Sequence, residues 1–83
     1  MDEPKLEELL SFVARSLVDE PEDVRVTVVD GDRATVYELQ VAEDDLGKVI
    51  GKDGRTARAI RTLLSATSAK QRKRALLDIV DEE

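Results

Sequence analysis

Val49-Ile50-Gly51-Lys52-Asp53-Gly54-Arg55, VIGKDGR, places two glycines three residues apart between an apolar pair and an arginine. Its flanks decide how it is read. Before it, Leu46, Val49 and Ile50 are the apolar positions of a short helix that stops at Gly51, and Glu43-Asp44-Asp45 puts carboxylates where a helix N-terminus favours them. After it, Ala57, Ile60, Leu63 and Leu64 form the apolar stripe of a longer helix, with Arg55, Arg58 and Arg61 on a neighbouring face at intervals of three. The stretch is a tight glycine junction between two helices.

Working outward, Pro4 suits a first helical turn, and Leu6, Leu9, Leu10, Val13 and Leu17 recur at spacings of three and four, an amphipathic helix ending near Asp19-Pro21. Val24, Val26 and Val28 alternate with Arg25 and Thr27 in a strand. Asp30-Gly31-Asp32 supplies a turn, and Thr35, Tyr37, Leu39 and Val41 alternate in a second strand, giving a hairpin. The closing run Arg74-Ala75-Leu76-Leu77-Asp78-Ile79-Val80 fits a helix or a strand. A strand with Leu77 and Ile79 inward is preferred, because a two-stranded hairpin is marginal alone and a third strand completes a sheet. The expected order is α-β-β-α-α-β: an α+β fold with a three-stranded mixed sheet covered by helices on one face. Phe12 and Tyr37, the only aromatic residues, are expected in the core.

Composition narrows the chemistry. The 83 residues suffice for one modest core, so residues 1–83 are expected to form one domain. Neither cysteine nor histidine is present, which removes thiolate metal sites, the commonest metal ligand and the commonest general base near neutral pH. No nucleophile–base pair can be assembled around the few Ser and Thr, so no enzyme, cofactor or metal is expected. No apolar run approaches a membrane span, and the acidic opening Met1-Asp2-Glu3-Pro4 is unlike a signal peptide. A cytoplasmic location is therefore expected. The carboxylates lie mostly in runs, including Glu43-Asp44-Asp45, and solvated helix ends and turns are the expected explanation.

Charge is segregated. Residues 1–47 carry 4 basic and 14 acidic side chains, residues 48–74 carry 9 and 1, and residues 75–83 carry 0 and 4, for balances of -10, +8 and -4. The net charge of -6 argues against a polyanionic partner, but phosphate responds to the local field within about 8 Å at physiological salt. At residues 48–74 that field is positive. The plainer alternative is a solvated basic face or a self-association surface.

A Gly-x-x-Gly pair alone is weak evidence: at about 7% glycine usage a chain of this length holds about 0.4 by chance. Its position adds weight. The following helix presents unbonded N–H groups and the positive end of its dipole to the loop, and glycines without Cβ atoms let a phosphate backbone approach the main chain. Lys48, Lys52, Arg55 and Arg58 stand where they add charge. The alternative is that Gly51 ends a helix and Gly54 shapes a turn with no ligand. Gly47 to Lys52 is not a nucleotide P-loop, having three residues between its glycines and Asp53 where Ser or Thr is required. Gly47 and Gly51 form a GxxxG only outside the long apolar segment that gives this spacing meaning.

The sequence Val49-Ile50-Gly51-Lys52-Asp53-Gly54, followed by the arginine-rich helix Gly54-Arg55-Thr56-Ala57-Arg58-Ala59-Ile60-Arg61-Thr62, resembles the core of a KH domain. The element order resembles the type II arrangement, and length and pattern are similar to the small bacterial single-KH-domain RNA-binding proteins. The resemblance implies single-stranded RNA clamped by the Gly51–Gly54 loop. It further implies an RNA-chaperone or post-transcriptional role linked to cell elongation and division, and pairing as a homodimer or with a larger Jag-type KH protein. On this basis Lys48, Val49, Ile50, Gly51, Lys52, Asp53, Gly54, Arg55 and Arg58 are the candidate RNA-binding residues. Lys52, Gly51, Asp53 and Gly54 clamp the backbone, and bases lie in a groove beside Val49, Ile50 and the hairpin-side strand. Two aromatics are too few for the stacking platforms of RRM or OB-type modules.

Lys70, Arg72, Lys73 and Arg74 could extend the phosphate track, with a solvated loop slightly favoured. Asp53 neutralises the loop, and its expected role is a helix N-cap contributing about 1 kcal/mol. The competing function is a protein-interaction module that keeps the KH fold with weak or no RNA contact.

Overall fold

The computed structural model describes residues 6–68 and 73–80. Helix α1 (Leu6–Leu17) leads through a single turn at Pro21–Asp23 into strand β1 (Arg25–Asp30), which is joined by a tight turn to strand β2 (Ala34–Gln40). A turn at Glu43–Asp45 opens helix α2 (Leu46–Ile50), the Lys52–Gly54 turn joins it to helix α3 (Arg55–Ser68), and strand β3 (Arg74–Val80) follows. The expected α-β-β-α-α-β order is thus realised, and the final segment is a strand.

The sheet order is β1-β2-β3, with β1 antiparallel and β3 parallel to β2. Hairpin register sets Val26 opposite Leu39 and Val28 opposite Tyr37, and the parallel pair sets Leu77 beside Tyr37 and Ile79 beside Leu39. Because side chains alternate along a strand, these residues share one face. The helices cover that face: Leu6, Leu10 and Ala14 of α1, Val49 of α2, and Ile60 and Leu64 of α3 join Tyr37, Leu39, Val41 and Leu77 in one core. At the sheet end, Asp30 accepts hydrogen bonds from the Thr35 hydroxyl (2.9 Å) and the Lys73 ammonium, tying the hairpin turn to the start of β3. These contacts hold the Asp30 carboxyl below its ordinary pKa, the Lys73 bond foremost. Lys73 is therefore engaged locally, while Lys70 and Arg72 lie outside the described residues.

Two expectations are corrected. Tyr37 is buried, but Phe12 is 68% exposed. At about 100° per residue, Phe12 lies about 160° around α1 from Leu10 and so faces away from the core stripe. The second correction concerns Asp45, which is 1% exposed rather than solvated. Its Oδ1 accepts the Asp19 N–H at 3.3 Å, its Oδ2 accepts the Glu20 N–H at 3.0 Å, and the Lys48 ammonium lies 3.6 Å from Oδ1. The carboxylate makes no capping bond to its own helix; it fastens the chain leaving α1 to the start of α2.

Removing Asp45 strands two main-chain donors, so Asp45→Ala is expected to lower the unfolding free energy by about 2 kcal/mol. Urea denaturation measures this; a loss under about 0.5 kcal/mol would mean that water replaces the carboxylate at no net cost.

Candidate nucleic-acid interface

The glycine junction is a strained piece of main chain held from both sides. Gly51 ends α2 with its N–H bonded to the Gly47 carbonyl at 2.8 Å, and the Gly54 N–H bonds back to the Gly51 carbonyl at 3.1 Å. Three of its four residues have positive φ: Gly51 at 78°, Asp53 at 57° and Gly54 at 74°. Gly51 combines that φ with ψ of 171°, a region essentially closed to residues with a Cβ. A Cβ there would also meet Thr56 Cβ at 2.7 Å and Thr56 N at 2.8 Å, so the loop lies directly against the first turn of α3.

Lys52 and Asp53 are exposed at the tip and Arg55 is exposed at the first position of α3. Arg58 reaches back, its Nη2 donating to the Asp53 carbonyl at 3.2 Å, and so braces the loop from the next turn of the helix. Asp53 lacks the backbone of the expected cap: a capping residue sits in the extended region, whereas Asp53 occupies the left-handed conformation that Asp and Asn tolerate better than most.

Two further candidates are engaged elsewhere. The Lys48 ammonium lies 3.4 Å from Asp19 and 3.6 Å from Asp45. Hydrogen bonding to Asp19, reinforced by the charges of Asp19 and Asp45, raises its pKa above the ordinary value and keeps it charged. Val49 is 0% exposed, so its side chain belongs to the core and no base can touch it. Ile50, by contrast, is 40% exposed and opens onto a groove.

That groove, of about 400 Å³, is lined by Leu46 and Ile50 of α2, Gly54 of the loop, Ala57 and Arg61 of α3, and Asp78 and Ile79 of β3. Its far wall is therefore β3, not the hairpin-side strand, because β3 is the edge strand beside α3 while the hairpin lies beyond it in the sheet. Leu77 and Ile79 pack toward the helices, and Asp78 and Ile79 are the residues of the strand that border the groove. Leu46, Ala57, Arg61 and Ile79 were not among the candidates. The usable signal was spacing: Leu46 and Ile50 stand four apart, as do Ala57 and Arg61, which puts each pair on one helix face.

The KH domain profile of the KhpA/KhpB proteins matches residues 7–79, so the match includes all three helices but for Leu6, the glycine junction and nearly all of β3. The chain belongs to this KH family. Its sheet order and its helix–GxxG–helix unit are those of a type II KH domain. Among curated relatives, it is similar to the RNA-binding protein KhpA of Borreliella burgdorferi, with 49% identity across 89% of this chain and 90% of that protein. It is similar also to the RNA-binding protein KhpA of Treponema pallidum, with 51% identity across 90% of this chain and 94% of the relative. The protein of the same name from Chlamydia pneumoniae shares 45% identity across 94% of this chain and all of that protein. No solved structure matches the chain. Among the described residues no helix is long and apolar enough to cross a membrane, and no cluster of three or more carboxylates is arranged to hold a metal ion.

Gly51→Ala is expected to cost about 2 kcal/mol or more from backbone strain alone, read by thermal or urea unfolding. Asp53→Asn, which breaks no capping bond and still tolerates positive φ, is expected to change stability by under about 0.5 kcal/mol; a loss near 1 kcal/mol would restore the capping role.

Proposed function

We propose that this protein binds single-stranded RNA, with the Gly51–Gly54 loop and the start of α3 holding the phosphates and the adjoining groove receiving a base. The observation that carries the reading is the conformation of the loop: a main chain that excludes a Cβ at Gly51 and exposes Lys52 at the positive end of α3. The names of the relatives support it, and so does the charge balance of +8 over residues 48–74 in an otherwise acidic chain.

Within this reading Gly51, Lys52, Asp53, Gly54 and Arg55 face the backbone directly, and Arg58 acts through the Asp53 carbonyl it holds. Ile50 supplies groove wall, whereas Lys48 and Val49 act by fixing α2 beneath the loop. No catalytic step is assigned.

One short contact neutralises few phosphates, so affinity per molecule is modest, and a second module would add avidity. The proposal accordingly extends to a single KH domain over residues 1–83 that pairs with a second copy or with a larger Jag-type KH protein. Its setting is the cytoplasm, its role that of an RNA chaperone or post-transcriptional regulator serving cell elongation and division. Exposed Leu9 and Phe12 on α1 support a contact with another protein. They also favour the second reading, an interaction module with weak or no RNA contact.

Lys52→Asp separates the two. Reversing a charge on an exposed loop residue should leave the fold intact by circular dichroism and abolish salt-dependent binding to single-stranded RNA in a titration. Binding equal to wild type would remove the clamp assignment and favour the interaction module.

A further inference from the structure

The three arginines that follow the loop do not share one task. Arg55 stands at the helix start and Arg58 is bonded to the Asp53 carbonyl, but Arg61 lines the groove together with Leu46, Ile50, Ala57, Asp78 and Ile79, and forms no ion pair with Asp78. Gly54, Ala57 and Arg61 follow one another at intervals of three and four, so they form a single stripe of α3 facing β3. From Gly54 to Arg61 the helix rises about 10 Å. Arg61 thus lies about two turns from the loop along the same groove. Among the described residues Arg61 enters no ion pair, and the residue is exposed.

We propose that Arg61 is a specificity-determining residue that reads the edge of the base in the groove and selects bases with two adjacent hydrogen-bond acceptors. This rests on the RNA-binding reading above and goes beyond it. A guanidinium is a rigid planar fork of donors with no acceptor, so it pairs best with two acceptors side by side. Guanine presents O6 and N7 in this way, and cytosine presents O2 and N3 on the edge that a single strand leaves open. Uracil interposes its N3–H between two carbonyls, and adenine sets an amino donor beside each acceptor on its accessible edges, so neither fills the fork. Leu46, Ile50 and Ile79 offer apolar wall against which the faces of a base can pack. An unmatched donor or acceptor on the base edge facing Arg61 loses a hydrogen bond that the matched base keeps. With no aromatic residue lining the groove, discrimination comes from this edge contact rather than from stacking.

The test uses short oligouridines with a single central U, A, C or G, titrated against the full chain by fluorescence anisotropy. The C and G oligonucleotides should bind tighter than the U and A ones by about five- to a hundredfold. Arg61→Lys keeps the charge and loses the fork, and should compress that ranking to about twofold or less. Arg61→Gln, which retains only one donor group, should flatten it likewise. Both side chains are exposed replacements, and circular dichroism confirms the fold. The proposal is overturned if wild type binds all four alike, if the variants keep the ranking, or if they weaken all four by one common factor, which would make Arg61 a phosphate contact. Wild type binding none of the four would overturn the RNA-binding reading as well; binding without ranking would leave that reading standing and remove only this one.

Discussion

A buried carboxylate fixes the geometry on which the site depends. Asp45, at 1% exposure, accepts N–H groups from Asp19 and Glu20 and faces the Lys48 ammonium. An ionised carboxylate so far from water is tolerated only when its acceptor positions are filled, and here the donors come from a segment 25 and 26 residues earlier in the chain. The requirement runs both ways: the turn after α1 has two donors to satisfy, and the start of α2 has a charge to solvate. Satisfying both places α2 at a set position against α1, buries Val49, and leaves Ile50 at the rim of the groove. A helix of five residues, Leu46–Ile50, has little stability of its own, so these tertiary anchors hold it.

The second constraint is the approach of the loop to α3. With Thr56 packed against Gly51, and Arg58 bonded to the Asp53 carbonyl, the turn is fastened to the helix that follows it at two points. A loop already ordered before it meets a ligand loses less conformational entropy on binding, which matters most where a contact is small. Arg58 spends one guanidinium donor on this brace and keeps others, so bracing and electrostatic attraction are compatible in one side chain.

Periodicity carried most of the fold. The alternation of Val24, Val26 and Val28, the stripe through Ala57, Ile60, Leu63 and Leu64, of which Leu63 stays 44% exposed, and the glycines at 51 and 54 led to the observed elements, because each is a local pattern with a local physical cause. What escaped was set by partners distant in sequence or by rotation about a helix. Asp45 reads as one acid in a run of three, and only the return of residues 19 and 20 distinguishes it from Glu43 and Asp44. Phe12 looks like core by residue type, yet its place on α1 turns it outward. Asp53 sits where a cap is expected, but its φ is positive, unlike the extended backbone of a capping residue. The wall of the groove depended on the sheet order, which no local pattern reveals.

Charge and shape then divide the work. The chain carries a net charge of -6, so at distances beyond a Debye length it does not attract a polyanion. In the proposed reading, the local positive field prevails only close to the Lys52 and Arg55 surface, where a phosphate backbone would also have to fit the main-chain loop against α3. A duplex keeps its bases stacked and paired, so under the proposed reading it would leave the adjoining groove empty. A single strand can turn one base out into the space between α2, α3 and the edge of β3. The acidic remainder of the protein is therefore a working part of the proposed selectivity: it suppresses binding driven by charge alone and leaves the loop and groove, taken together, as the favourable contact.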